Sequence, residues 1–128
     1  MASSTSPTQR TLAALRKEGY LPAVVEKFNH HTKTRSDLYG LGDVLAIRHD
    51  GTVLVQCTSG SNGANRVAKA LGEGEANLRA WLAHDGRRFF VHAWRKLKGR
   101  GRQQWFVRKT EIVVRECRLL VLEDTSDA

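Results

Sequence analysis

Val44-Leu45-Ala46-Ile47-Arg48-His49-Asp50-Gly51-Thr52-Val53-Leu54-Val55-Gln56-Cys57-Thr58 is the stretch on which the fold turns. Two apolar, β-branched runs flank Asp50-Gly51, a dipeptide that tolerates the positive φ angles of a tight reversal, so the pattern predicts a β-hairpin. With Asp50 and Gly51 as the two loop residues, His49 faces Thr52, Leu45 faces Gln56 and Asp43 faces Thr58. Residues opposed across a ladder share a face of the sheet. Asp43 therefore stands beside Thr58 and diagonal to Gln56, three oxygen-bearing side chains at the end of an otherwise apolar hairpin. A three-residue loop would turn Gln56 to the other face.

On the N-terminal side, Ser6-Pro7-Thr8-Gln9 reads as a capping box with proline at the first helical position, and Gly19 follows as the stop. Leu12, Ala14 and Leu15, with Thr11, give this helix one buried face. Tyr20 to Phe28 reads as a strand carrying Glu26, with Pro22 at its start or edge. Asn29 to Gly42, polar and basic with Arg35 and Asp37, reads as a loop. On the C-terminal side, Ser59 to Gly63 is a turn and helix cap, and Val67, Leu71, Leu78, Trp81 and Leu82 mark an amphipathic helix interrupted at Gly72 and Gly74. Asp85-Gly86 ends it. Arg88 to Trp94 alternates as a strand, and strand, helix and strand in that order predict a right-handed crossover onto one sheet. Trp105 to Val107 and Glu111 to Val114 add β-like runs. The expected order is α-β-β-β-α-β-β, an α/β fold with a mixed sheet flanked by helices. Residues 1–122 form one domain in this reading, and the acidic residues 123–128 a disordered tail.

A chain of 128 residues is one ordinary domain, which excludes a large multidomain enzyme. Its 21 Lys and Arg against 13 Asp and Glu give a net charge of +8, which favours a polyanionic partner. No run of roughly 18 apolar residues is present, and the N-terminus lacks the apolar stretch of a secretory signal, so an intracellular, cytoplasmic protein that does not enter membranes is expected. Cys57 and Cys117 are too few for a disulfide framework or a four-cysteine zinc site. Residues 87–109 hold nine Lys or Arg and no acid. Arg87, Arg88, Arg95, Lys96, Lys98, Arg100, Arg102 and Arg108 are accordingly the bases expected to follow a phosphate backbone, together with Arg35. Aromatic residues are interleaved with them. Alternation puts Phe90, His92 and Trp94 on one face of the strand and Phe89, Val91, Ala93 and Arg95 on the other, so some of these rings are core.

Glu26, Asp43 and Gln56 offer two carboxylates and an amide oxygen, the hard-oxygen set that suits Mg²⁺ or Mn²⁺, with the Cys57 carbonyl as a further backbone ligand. A metal held there could polarise a phosphodiester and activate water. Glu26, then Gly42-Asp43 at the start of a strand, then Gln56-Cys57-Thr58 near the end of its partner resemble the three-part site of the PD-(D/E)XK nuclease superfamily, in its Holliday-junction-resolvase-like branch. VLVQCTSGSN and the later HAWRK are similar to stretches of small phage and bacterial proteins assigned to that superfamily. The resemblance covers roughly residues 8–115. It implies a restriction-endonuclease-like core, hydrolysis of DNA phosphodiester bonds with branched DNA among the candidate substrates, and metal held at Glu26, Asp43 and Gln56. The pattern departs from the family at two places, with Gln56 where glutamate is usual and Thr58 where lysine is usual. A lysine moved to the following helix is one known solution, and Arg66 and Lys69, on one helical face, are the candidates for it.

Blander readings stand beside these. Asp43 after Gly42 also fits a turn residue, Glu26 an exposed strand charge, and Gln56 a group that satisfies buried backbone. His30 and His31 read as solvated loop residues, and Cys57 as a packed thiol. An inactive nucleic-acid-binding module on the same fold, and a small basic DNA- or RNA-binding structural protein, are the alternative functions. A homodimer is compatible with either.

Overall fold

The computed structural model describes the backbone of residues 6–99 and 102–127, and the side chains of residues 6–97 and 104–124. Ser6 opens the first helix by accepting a hydrogen bond from Gln9 N on its hydroxyl at 3.1 Å. The helix, α1 (Pro7–Lys17), ends where Gly19 turns to φ +89°. There Gly19 N donates to the Arg16 carbonyl and Tyr20 N to the Leu15 carbonyl, which satisfies carbonyls the helix leaves open.

The chain continues as β1 (Leu21–Val24), β2 (Lys27–Asn29), β3 (Thr34–Ser36), β4 (Val44–Arg48) and β5 (Gly51–Ser59). A 3-10 turn (Gly60–Asn62) leads into α2 (Gly63–Leu71), followed by α3 (Glu75–Trp81), β6 (Arg87–Gly99), β7 (Arg102–Arg115) and β8 (Arg118–Asp127). Six strands form one sheet in the order β1-β4-β5-β6-β7-β8, while β2 and β3 make a small separate hairpin. The β5–β6 pair is parallel and its neighbours are antiparallel, so the sheet is mixed and the fold α/β.

Strand β5 runs through the centre, with Val53 to Thr58 all buried. Its alternate residues serve two cores. Val53, Val55 and Cys57 pack with Leu12 and Leu15 of α1, whereas Leu54 packs with Ala70 of α2, Leu78 of α3 and Phe89 and Val91 of β6. Fully burying one such aromatic or aliphatic side chain contributes about 1.5–3 kcal/mol, so two facing layers of them hold both helical covers to the sheet. The close fit of α2 requires Gly63, because a Cβ there would lie 2.9 Å from the Ala93 Cβ.

Several expectations change. The hairpin pairs Arg48 with Gly51 and Leu45 with Leu54, so its loop residues are His49 and Asp50. Arg48 fixes that turn by donating to both Asp50 carboxylate oxygens, at 2.6 and 2.9 Å. The strand expected over Tyr20 to Phe28 breaks after Val24, which leaves Glu26 between β1 and β2, and the expected loop from Asn29 contains β3. The single interrupted helix is two, divided at Gly72–Gly74. Strand β8 was not expected, and the acidic stretch from Glu123 to Asp127, read as a disordered end, is its second half. Pairing with β7 gives these residues partners, including Lys109 opposite Asp124 and Thr110 opposite Glu123. The observed order therefore has β2, β3, α3 and β8 in addition to the expected elements.

A buried polar contact ties α1 to the sheet. Trp94 Nε1 donates to Thr11 Oγ1 at 2.9 Å, and the same oxygen lies 3.2 Å from His92 Nδ1. With its oxygen accepting from the indole, the hydroxyl proton is available to Nδ1, which leaves the imidazole proton on Nε2. Burial, with a smaller contribution from the nearby Lys109 charge, pushes the His92 pKa down to about 3 from 6.5. The unfolded imidazole takes up a proton below about 6.5, whereas the folded one stays neutral, so protons favour the unfolded chain between about 6.5 and 3. Unfolding free energy should therefore fall by up to about 1.4 kcal/mol per pH unit as pH drops through that window. Urea melts of wild type and His92→Asn compared over this range check it, since the variant should lose that slope.

Candidate active site

A cavity of about 470 Å³ opens where α1, the β1–β2 junction, β4, β5 and α2 meet. Its wall includes Glu26, Asp43, Gln56, Cys57, Arg66 and Lys69, together with Thr8, Arg35 and Asp37. Residues singled out separately, across more than forty positions of sequence, thus share one space. Sliding the hairpin register by two residues keeps every side chain on its expected face. Continued one step beyond Val44↔Val55, that register sets Asp43 directly opposite Gln56.

Asp43 sits at the entrance to β4, 5% exposed. Gly42 before it lies close against β5, where a Cβ would meet Leu54 at 2.7 Å, and Asp43 N donates to the Val55 carbonyl at 2.9 Å. The carboxylate accepts a hydrogen bond from Cys57 N on Oδ1 at 2.9 Å and from Thr8 Oγ1 on Oδ2 at 3.4 Å. Burial raises the Asp43 pKa above the ordinary carboxylate value, and the charge of Asp37 adds to the rise, against the lowering effect of the Cys57 N–H. Asp43 therefore carries a carboxylate that its own surroundings compensate incompletely.

Gln56 is 7% exposed, and its amide is satisfied only with Nε2 turned towards Asp37 Oδ2, at 2.7 Å, and the Leu41 carbonyl, at 2.8 Å. The opposite orientation would set oxygen against oxygen. Glu26 is half-buried on the cavity wall. Thr58 is buried and outside the cavity lining, so it takes no place beside Asp43. Cys57 contributes its amide N–H, while its thiol packs among Leu12, Leu15 and Val55; burial pushes that thiol's pKa far up and keeps it protonated, which removes it as a nucleophile.

Lys69 and Arg66 line the cavity from α2. The Lys69 ammonium lies 3.8 Å from Glu73 in an exposed i,i+4 pair, an interaction too weak to hold it away from the cavity. Asp37 and Thr8 were not singled out by sequence reading. Asp37 sits in a polar segment with no spacing signal, and Thr8 looks like an ordinary first-turn residue.

Among the described residues no three His, Cys, Asp or Glu side chains stand close enough together to hold a metal unaided. A pair of carboxylates is nevertheless what Mg²⁺ commonly takes from a protein, with waters and substrate phosphate completing its shell, and the pair Asp37 and Asp43 with their incompletely compensated charge fits that demand.

The basic segment divides by contact. Arg88 donates to both Glu111 carboxylate oxygens at 2.8 and 2.9 Å, and Arg87 stacks on Trp81 at 5.3 Å from the ring centre, so both are engaged within the protein. Arg95, Lys96 and Arg108 are exposed on the β6–β7 ribbon, and Arg35 lines the cavity. Arg100 lies outside the described residues, as do the side chains of Lys98 and Arg102. Trp94 is core, and Trp105 carries Arg10 at 3.7 Å from its ring centre with the Lys96 ammonium 5.5 Å away, so its ring is engaged by the protein's own cations.

Comparison of the chain with protein-family models, with curated proteins and with solved structures finds no match in any of the three.

Asp43→Asn keeps an acceptor for Cys57 N and removes the buried charge. It should raise the unfolding free energy at neutral pH by about 1 kcal/mol, the scale of a typical stabilising substitution. Thermal melts of the two proteins without added metal check this, and a large loss of stability instead would make Asp43 a turn residue.

Proposed function

We propose that this protein is a metal-dependent DNA endonuclease of the PD-(D/E)XK type, with a restriction-endonuclease-like core. The observation that carries the reading is that Glu26, Asp43, Gln56, Arg66 and Lys69 line one cavity, carboxylates and cations together. Both signs in one cavity suit a phosphodiester accompanied by a divalent cation. Asp43 with its neighbouring carboxylates would hold Mg²⁺ or Mn²⁺, which when bound supplies Lewis-acid polarisation of the phosphate and a more acidic water. Lys69, a compact point charge, stands in for the absent lysine at Thr58, and Arg66 clamps phosphate oxygens. The burial of Asp43 strengthens electrostatic contacts made at that carboxylate relative to water.

Arg95, Lys96 and Arg108 extend the basic surface beyond the cavity and fit a DNA backbone. Several such contacts would release counterions on binding. Two cysteines that are both free are compatible with a cytoplasmic location, and among the described residues no helix is long and apolar enough to cross a membrane. The absent lysine at Thr58 favours one second reading, an inactive DNA-binding module on the same fold.

Purified protein incubated with branched, duplex and single-stranded DNA should cleave with Mn²⁺ and not with EDTA. Lys69→Ala should slow single-turnover cleavage by roughly 100-fold, the order expected for one lost electrostatic contact to the transition state. Full activity in the Lys69→Ala, Arg66→Ala double variant would overturn their role, and salt-dependent binding without any cleavage would favour the inactive module. Affinity for duplex DNA should fall with salt at a log-log slope steeper than about −3, measured by fluorescence anisotropy. A flat response would remove DNA as the partner.

A further inference from the structure

Gln56 lines the cavity, and in the orientation that satisfies its amide both amide hydrogens are committed. A primary amide carries two N–H donors. Here one goes to Asp37 Oδ2 and the other to the Leu41 carbonyl. Asp37 directly precedes, and Leu41 lies within, the tight turn closed by Leu38 N donating to the Gly42 carbonyl at 2.8 Å. Gln56 thereby fastens the turn to β5 and fixes where the Asp37 carboxylate stands. A glutamate at this position would put a second negative charge against Asp37 and an unpaired oxygen against Leu41.

Asp37 itself is half-buried on the cavity wall, next to Asp43. Among the described residues, neither carboxylate is within ion-pair distance of a lysine or arginine. Arg35, Arg66 and Lys69 nevertheless line the same cavity. Opposite charges that share a cavity without touching leave room between them for a ligand bearing both signs.

We infer that Gln56 is a positioning residue and not a metal ligand: its amide holds Asp37, and the Asp37 and Asp43 carboxylates together face the divalent cation. The inference rests on the nuclease reading and changes its ligand set, replacing an amide oxygen by a charged carboxylate, the harder and stronger partner for Mg²⁺ or Mn²⁺.

Mn²⁺ binding by calorimetry, in the full chain without DNA, tests this with wild type, Asp37→Asn, Gln56→Ala and the double variant. Asp37→Asn, which keeps an oxygen for Gln56 to donate to, should leave the melting temperature nearly unchanged and weaken Mn²⁺ binding roughly 10-fold or more. Gln56→Ala should also weaken binding, at the low end of the 10- to 100-fold range typical of groups that orient a ligand. In the Asp37→Asn background, however, Gln56→Ala should cost nothing further. An equal loss from Gln56→Ala in both backgrounds would make Gln56 a ligand and overturn the inference while leaving the nuclease reading in place. Unchanged Mn²⁺ affinity in Asp37→Asn would also overturn it. Absence of Mn²⁺ uptake by wild type would instead overturn the metal-dependent reading itself. Melting temperatures of the metal-free proteins read the contact independently: Gln56→Glu should lower the value and Asp37→Asn added to it should restore much of the loss, and additive losses would show that the two side chains do not interact.

Discussion

The hydrogen bond from the Cys57 amide to the Asp43 carboxylate, across the end of the β4–β5 ladder, is the contact on which the site depends. Carrying a carboxylate into a nearly water-free position is unfavourable unless donors meet it. The ladder register supplies one such donor, and Thr8 brings α1 to the other oxygen. The helix, the central strand and the strand entrance are thereby fixed relative to a single charged group. The remaining imbalance at that group, with Asp37 beside it, is the local condition that a bound cation would relieve.

The scaffold behind this contact is rigid for separate reasons. Strand β5 is buried along both faces, so neither face can slip without exposing apolar side chains. Thr11, His92 and Trp94 add a directional polar contact beneath α1, and α2 comes close because Gly63 has no side chain. Lys69 and Arg66 therefore project from a helix seated firmly on the sheet, while their long side chains keep the freedom to adjust to a ligand. Arg95, Lys96 and Arg108 are exposed on β6 and β7, on the other side of β5 from β4 in the sheet.

The hairpin, the split helical crossover and the first helix were legible because each rests on local signals: apolar periodicity, glycine at a stop, serine and proline at a start. The hairpin register was misread by two residues because Asp50-Gly51 looks like the loop, whereas Arg48 grips Asp50 and moves the reversal to His49-Asp50. The error left the shared face intact, which is why Asp43 and Gln56 were still brought together. Strand β8 escaped notice because its turn uses Glu116 and Cys117 at positive φ, residues that carry no turn signature, and because Leu119 to Leu122 is a continuous apolar run without alternation. The β2–β3 hairpin is polar apart from Phe28 and turns at Lys33, again at positive φ. Asp37 was invisible for another reason. Its partner Gln56 is nineteen positions away and their pairing is set by the fold, so no local spacing announces it.

The most direct test of this account is the position of Mn²⁺ in a crystal of the protein grown with that ion, located by anomalous scattering. The account predicts one peak in the cavity, bound by the carboxylates of Asp43 and Asp37, with the Gln56 amide turned away towards Asp37 and Leu41. A cavity without a peak at saturating Mn²⁺, or an ion held by Gln56 and Glu26 with Asp37 uninvolved, would contradict it.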